Sequence, residues 1–270
     1  MEFDARYFER LVAARRHWWV EGMRRVGEAL LDEHRAGLSV LDAGCGSGAL
    51  LEWLGTLAHP RPVVGIDAAW AGLVFAKDCD ELVTLTQASL AALPFAPDRF
   101  DVVVTADVLQ HLPSADASAA LIEIARVLRP GGRVLVRTNS RCGRAAVDDR
   151  DDWRLYTSGS LRAALEAAGL VVDVVTPVNS LQGLWASVRG RRRSHHDPHH
   201  GHEGGAEPTV LGGCDARPEW GSAGLGIPRA VAPWRNRVQL MLLQAEARWL
   251  RGGRRRLPFG HSLYAVARRR

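Results

Sequence analysis

The chain has 270 residues, 47% hydrophobic and 24% charged, which suits one large globular domain or at most two small ones. No run of about 18 apolar residues occurs, and Glu2, Asp4 and Glu9 open the chain without an apolar stretch, so no spanning helix or secretory leader is expected and the expected location is the cytoplasm. The net charge of +5 is uneven: Arg235–Arg270 holds ten arginines against Glu246, the rest of the chain is net acidic, and no nucleic-acid partner is expected.

Residues 3–33 place Phe3, Tyr7, Phe8, Leu11, Val12, Trp18, Trp19, Met23, Val26, Leu30 and Leu31 at helical spacing. That predicts one or two amphipathic helices, broken near Gly22. Strands and helices then alternate. Strands are predicted at 38–41, 62–66, 82–86, 100–106, 133–138 and 170–176, with a turn at Pro130-Gly131-Gly132 before the fifth. Helices are predicted at 48–57, 70–77, 114–128 with Ser114 as N-cap, and 157–168 closed by Gly169. Residues 189–226, rich in Gly, Arg, His and Pro, read as a flexible loop; 234–250 regain helical spacing, and 263–267 alternate as a final strand. The pattern is that of an α/β chain with a doubly wound, Rossmann-like, mostly parallel sheet, the final strand antiparallel. It divides into an N-terminal helical cap (1–36), an α/β core (37–176), a helical insertion before the last strand (177–258), and the final strand with a basic tail (259–270).

Several chemistries are removed by residue counts. Cys45, Cys79, Cys142 and Cys214 form no C-x-x-C pair, so neither a zinc knuckle nor a disulfide framework is indicated. Lys77 is the sole lysine, which excludes a Gly-Lys-Ser/Thr phosphate loop and a Tyr-x-x-x-Lys pair. The strongest positive signal is Val40-Leu41-Asp42-Ala43-Gly44-Cys45-Gly46-Ser47-Gly48, which ends a strand and opens a helix. Its glycines let backbone pass close to a ligand, and a helix N-terminus offers unpaired N–H groups. Asp67 ends the second strand, where it is placed to grip ribose hydroxyls. These features alone leave NAD and other adenosine cofactors open. Asp42 separates them: a carboxylate at the loop repels a pyrophosphate but suits a cationic ligand. S-adenosyl-L-methionine (SAM) has no phosphate and carries a sulfonium and an ammonium.

Taken together, Val40–Gly48, Val64-Gly65-Ile66-Asp67, Leu93-Pro94-Phe95 with Phe100-Asp101-Val102-Val103, Val108-Leu109-Gln110-His111-Leu112 and Arg126–Gly132 resemble the class I SAM-dependent methyltransferases, in the broad group of small-molecule methylating enzymes. The resemblance covers residues 38–138. More loosely, His17-Trp18-Trp19 with Arg24-Arg25, Tyr156-Thr157 and Leu257–Gly260 resemble a bacterial subgroup. It implies that Asp42, Gly44, Cys45, Gly46 and Gly48 line the methionine end of the cofactor, that Asp67 binds the ribose, and that Ala68 lies by the adenine. Ser89 stands where many relatives carry an adenine-binding aspartate; the Leu90 N–H can serve instead. Ala106 and Asp107 lie beside the sulfonium and the acceptor mouth. Asp152 replaces a histidine of the subgroup, so acceptor recognition has diverged.

His111 follows the fourth strand at the mouth and is the candidate general base, the alternative being a structural histidine at a helix start. Trp18, Trp19 and Tyr156 are candidates for the acceptor pocket floor, or else pack a helix on the sheet. Residues 194–202 hold five of the ten histidines, a tract that takes up Ni²⁺ or Zn²⁺ without a fixed scaffold, so no metal site is expected. The arginines within 251–256 and at 268–270, near Trp249 and Leu250, suit a solvated face or peripheral contact with anionic lipid. The expected function is methyl transfer from SAM to an O, N or C nucleophile of a small, apolar or ring-bearing acceptor, giving S-adenosylhomocysteine (SAH). Open alternatives are an NAD-dependent oxidoreductase, a non-catalytic SAM-binding module, and an RNA or protein methyltransferase. The last lacks its Asn/Asp-Pro-Pro-Tyr/Phe motif, since Ala106-Asp107-Val108-Leu109 stands there.

Overall fold

The β-branched apolar runs become the centre of one seven-stranded sheet, because strands buried on both faces read as continuous rather than alternating hydrophobics. The computed structural model describes residues 5–79, 82–140, 155–180 and 231–270. Its strands are β1 (Val40–Ala43), β2 (Val63–Asp67), β3 (Val83–Gln87), β4 (Phe100–Ala106), β5 (Leu128–Asn139), β6 (Leu170–Val178) and β7 (Ser262–Arg269). Their spatial order is β3-β2-β1-β4-β5-β7-β6. The pairs among β1 to β5 are parallel, and β7 runs antiparallel between β5 and β6. The strand order reverses between the parallel β1 and β4, so the C-terminal ends of these strands form the crevice where ligands bind in doubly wound sheets.

Seven α-helices cover the sheet: α1 (Ala5–Ala13), α2 (Trp18–Leu31), α3 (Leu51–Ala58), α4 (Trp70–Ala76), α5 (Ser114–Val127), α6 (Ser158–Ala167) and α7 (Pro233–Leu250), counted among the described residues. Successive strand residues point to opposite faces, and the core splits accordingly. Val102, Val104 and Leu135 face Met23, Leu30, Leu54 and Leu243 from α2, α3 and α7. Val103, Val134 and Val136 face Leu121, Ile124 and Leu165 from α5 and α6.

Several boundaries differ from the expectation. The break between the first two helices falls at residues 14–17, not near Gly22. His17 caps α2, its side chain accepting from the Trp19 N–H at 3.2 Å. Gly22 lies buried inside α2, where a Cβ would stand 2.4 Å from Leu243 Cδ1. That glycine is a contact site for α7 rather than a helix breaker. Pro113, not Ser114, holds the N-cap of α5. The Pro130-Gly131-Gly132 turn is a bulge within β5: Phe100 pairs with Leu128, and the next partner, Val102, pairs with Arg133. The α-helix after the glycine loop starts at Leu51, later than the expected 48. The loop expected at 189–226, the histidine tract, Cys142, Cys214 and Asp152 lie outside the described residues.

The α2–α7 contact is open to test. Gly22→Ala places a methyl group into Leu243, and overpacking of this kind costs about 1–3 kcal/mol. A thermal melt is expected to show Tm lowered by roughly 2–4 °C for each kcal/mol; a Tm equal to that of the unaltered chain contradicts the contact.

Candidate cofactor and acceptor site

The glycine loop is held by backbone before any ligand arrives. The Gly44 and Cys45 N–H groups both donate to the Ile66 carbonyl at 2.8 Å, and Gly48 N–H donates to Cys45 O at 2.8 Å. Gly44 has φ +90°, and a Cβ there would lie 2.3 Å from Val108 Cγ2. Only glycine lets the loop after β4 close onto the end of β1. Asp67 then joins the two strand ends: its Oδ2 accepts from Gly46 N–H and its Oδ1 from Ala69 N–H, both at 2.8 Å. Each oxygen keeps acceptor capacity, because a carboxylate offers about four lone-pair sites.

Electrostatics at this edge are acidic. Asp42 is 2% exposed. Burial, then the neighbouring Asp67, push its pKa up to about 7, while Arg137 pulls the other way. Burial also raises Asp67, tempered by its two N–H donors. The Cys45 thiol is pushed up by burial and by both aspartates, so it stays protonated. Ser89 is exposed and its Oγ accepts from Ala91 N–H at 3.2 Å, a turn that leaves Leu90 buried. The exposed Ala68 accepts from the Gln87 side chain through its carbonyl at 2.9 Å.

The α1 helix lies across this edge. Phe8 is buried, and a Cβ on Gly72 would stand 2.8 Å from its ring, one on Gly46 3.7 Å. Burial, then Asp107 and Asp67, raise the Tyr7 hydroxyl to about 12. Arg15 donates to the Ser47 carbonyl and, at 3.0 Å, to Cys79 Sγ. Sequence periodicity marked Tyr7 and Phe8 only as an apolar helix face and did not single out Arg15; their place over the loop is a tertiary contact without local signature.

On the acceptor side, Ala106 ends β4 and Asp107 turns out of it with φ +59°, a conformation uncommon for a non-glycine residue. Arg137 holds it there, its carbonyl accepting from Asp107 N–H at 2.9 Å and its Nη2 donating to Asp107 Oδ2 at 2.6 Å. The guanidinium also stands 4.8 Å from the centre of the Trp19 ring. Burial opposes its charge, but Asp107 and Tyr264 outweigh that and raise its pKa. Arg137 was not anticipated; within β5 it reads as one polar residue in an apolar strand, and that interruption was the available signal. His111 closes a 3₁₀ turn, Leu109–His111, with its N–H donating to Val108 O at 2.9 Å. Burial lowers its pKa and Asp107 acts against that, which leaves a neutral imidazole at pH 7.

The structure thus brings Asp42, Asp67, Asp107, His111 and the glycine loop to one sheet edge, with Trp19 adjoining through Arg137. The Trp18 backbone N–H donates to Asn236 Oδ1 of α7 at 2.8 Å, and its side chain, like that of Trp19, packs against the core layer of α2, α3 and α7. Tyr156 is not with the tryptophans. It is buried in the opposite layer with Leu161, Leu165 and Val175, beside a backbone bridge to Ser140. Among the described residues, no three His, Cys, Asp or Glu side chains are grouped to hold a metal ion.

Comparison with known proteins fits this geometry. Residues 41–136 match a family model described as a methyltransferase domain. A relative from Mycolicibacterium smegmatis, named as an S-adenosylmethionine-dependent methyltransferase, is 35% identical over 145 residues, 52% of this chain and 55% of that one. The chain therefore spans little more than half the length of that relative. The ubiquinone biosynthesis O-methyltransferase of a Methylobacterium species is 30% identical over 178 residues, 58% of this chain and 70% of the relative. A chain from the complex of the Haloferax volcanii Trm112 methyltransferase activator with a methyltransferase superposes with TM-score 0.58 at 19% identity, covering 99% of this chain and 95% of that one. At that identity the likeness shows the fold alone.

The buried acid at the end of β1 makes stability depend on pH in a definite direction. A carboxyl whose pKa is raised by folding favours the native state below its ordinary value near 3.8, and that contribution is lost as pH rises towards about 7. Asp42→Asn is therefore expected to raise the Tm of the ligand-free chain at pH 8 and to leave it nearly unchanged at pH 4. Melts of the two proteins across this range check it; an equal shift at both pH values contradicts the assignment.

Proposed function

The chain belongs to the class I SAM-dependent methyltransferases, and from that premise we propose that it moves a methyl group from SAM to an O, N or C nucleophile of a small, apolar or ring-bearing acceptor, releasing SAH. The observation that carries this reading is the convergence of Asp42, Asp67 and Asp107 on a glycine loop at one sheet edge. The donor set fits SAM: two carboxylate oxygens of Asp67 retain capacity for a ribose diol, and the acids suit a cationic methionine end. A dinucleotide would set its pyrophosphate against Asp42, which disfavours it.

When bound, the cofactor supplies an activated methyl group on a sulfonium. This chain's residues do the rest. Asp67 holds the ribose hydroxyls, Gly44 and Gly46 let the backbone approach the methionine end, and Ala68 and Leu90 flank the adenine. Asp107, fixed by Arg137, sets the charge at the mouth. Tyr7 and Phe8 exclude water from the edge, which strengthens every charge interaction inside. His111, neutral at pH 7, takes the acceptor's proton on an imidazole nitrogen where the nucleophile must lose one. Trp19, stacked on Arg137, offers a flat apolar wall to a ring. The name of the Methylobacterium relative, an O-methyltransferase of ubiquinone biosynthesis, favours oxygen as the nucleophile.

Calorimetry separates this from a nicotinamide-dependent reading: SAH is expected to bind and NADH not to. Asp67→Ala is expected to weaken SAH by about 1.5–3 kcal/mol, the range for hydrogen bonds to a charged group. Tight NADH binding without SAH binding overturns the proposal.

The acceptor side has its own test. Trp19→Ala is expected to lower turnover of the acceptor while SAH affinity stays within about twofold, since distant subsites behave additively. His111→Ala is expected to slow transfer by roughly 10²-fold or more if a proton must leave in the transition state. An unchanged rate leaves proximity as the whole mechanism.

A further inference from the structure

On an ordinary surface helix the face turned to solvent is polar and the face turned inward is apolar. The α7 helix departs from this on its outer side. Leu243, Ala247 and Leu250 are buried against the body of the protein. Along the opposite side, Trp234, Val238, Met241 and Trp249 are 57%, 39%, 61% and 52% exposed. Their spacing of four, three and eight residues keeps them on one stripe, with the exposed Ala245 between. The charges flanking that stripe have one sign. Arg237 and Arg248 are exposed beside it, and the only acid of the helix, Glu246, is buried and accepts from Asn179 N–H at 2.7 Å. The segment after the helix continues the pattern: Arg251, Arg254, Arg255 and Arg256 are exposed, Phe259 is 39% exposed, and the Arg255 guanidinium lies 4.2 Å from the centre of the Trp249 ring.

We propose that the outer face of α7 together with residues 251–259 is a docking surface for an anionic lipid bilayer. An exposed apolar stripe with tryptophan at both ends and arginines alongside is the composition that lies in a membrane interface, rings at the headgroup level and guanidiniums on lipid phosphates. Eighteen residues make the helix about 27 Å long. It lies on the bilayer and does not cross it, since no helix among the described residues is long and apolar enough to span. Of the residues expected at a lipid contact from the sequence, this surface includes Trp249 and the arginines within 251–256; Leu250 is buried, Arg268 pairs with Asp173 at 3.0 Å, and Arg269 pairs with Asp98. Asn236, two residues from the exposed Trp234, binds the first turn of α2, so docking brings the Trp18–Trp19 end of that helix beside the lipid. An acceptor dissolved in the bilayer then reaches the mouth without crossing water. That consequence rests on the methyl-transfer reading; docking itself does not and is measured without cofactor or acceptor.

The test is flotation of the full chain with vesicles of phosphatidylcholine mixed with phosphatidylglycerol, against phosphatidylcholine alone, at low salt. The wild-type chain is expected to float with the mixed vesicles and not with the neutral ones. Met241→Glu, a change on an exposed position, is expected to weaken partitioning at least tenfold with SAH affinity unchanged. Replacing Arg254, Arg255 and Arg256 by Gln is expected to weaken it about a hundredfold at low salt, several-fold for each charge near the surface. Failure of the wild-type chain to float, equal flotation with neutral vesicles, or flotation indifferent to Met241→Glu overturns the proposal. So does a wild-type dimer in sedimentation velocity that Met241→Glu dissociates while flotation stays the same, since the stripe then covers a second copy. Faster proteolysis within 181–230 in Met241→Glu without a loss of flotation also overturns it, the occupant then being this chain's own segment.

Discussion

The carboxylate of Asp67 is the point on which the site depends. It ends β2, accepts from Gly46 N–H of the loop after β1 and from Ala69 N–H before α4, and thereby fixes two strand ends against each other. Its place is set in turn by the sheet: Asp42 pairs with Gly65 and Ala43 with Ile66, so any shift in register would carry Asp67 away from the loop. Burying this acid beside Asp42 is unfavourable in the ligand-free chain, as the raised pKa of both groups records. A proton or a nearby positive charge relieves these acids, and buried groups of this kind exchange stability for binding.

A second buried charge completes the edge. Arg137 stands in an otherwise apolar strand, neutralised by Asp107 and covered by Trp19. Removing Asp107 would take the ion-pair partner from the buried Arg137 guanidinium, which costs more than the pair contributes. The pair also explains the backbone of Asp107, since a non-glycine residue at φ +59° persists only where its surroundings hold it. Asp107 thus links Arg137, with which it pairs, to Tyr7, whose hydroxyl it influences together with Asp67.

Much of this was legible in the residues. The alternation of strands and helices, the glycine loop and the acid at the end of β2 follow from local periodicity and from residue types with a single conformational use. The final strand, β7, was expected antiparallel and runs so between β5 and β6. What escaped was tertiary. Gly22 looks like a helix breaker and serves as a contact for Leu243; only the partner helix reveals which. Tyr7, Phe8 and Arg15 cover the loop from a helix with no signature beyond amphipathicity. Tyr156 sits near the tryptophans in no linear sense, and the sheet separates its layer from theirs. The outer stripe of α7 has ordinary helical spacing, and its meaning depends on which side turns inward.

The central claim is that the acids at this edge await a cation, and proton counting tests it most directly. In the ligand-free chain burial and the neighbouring Asp67 push the Asp42 pKa up to about 7, so the carboxyl holds a proton in part of the population at pH 7. A sulfonium and an ammonium arriving beside it favour the carboxylate, so binding must expel protons. Calorimetric titration with SAM at pH 7, repeated in buffers of different ionisation enthalpy, is predicted to show release of a fraction of a proton per site. The release should shrink with SAH, which lacks the sulfonium, and vanish in Asp42→Asn. Heat that is independent of the buffer, or proton uptake on binding, would contradict the account.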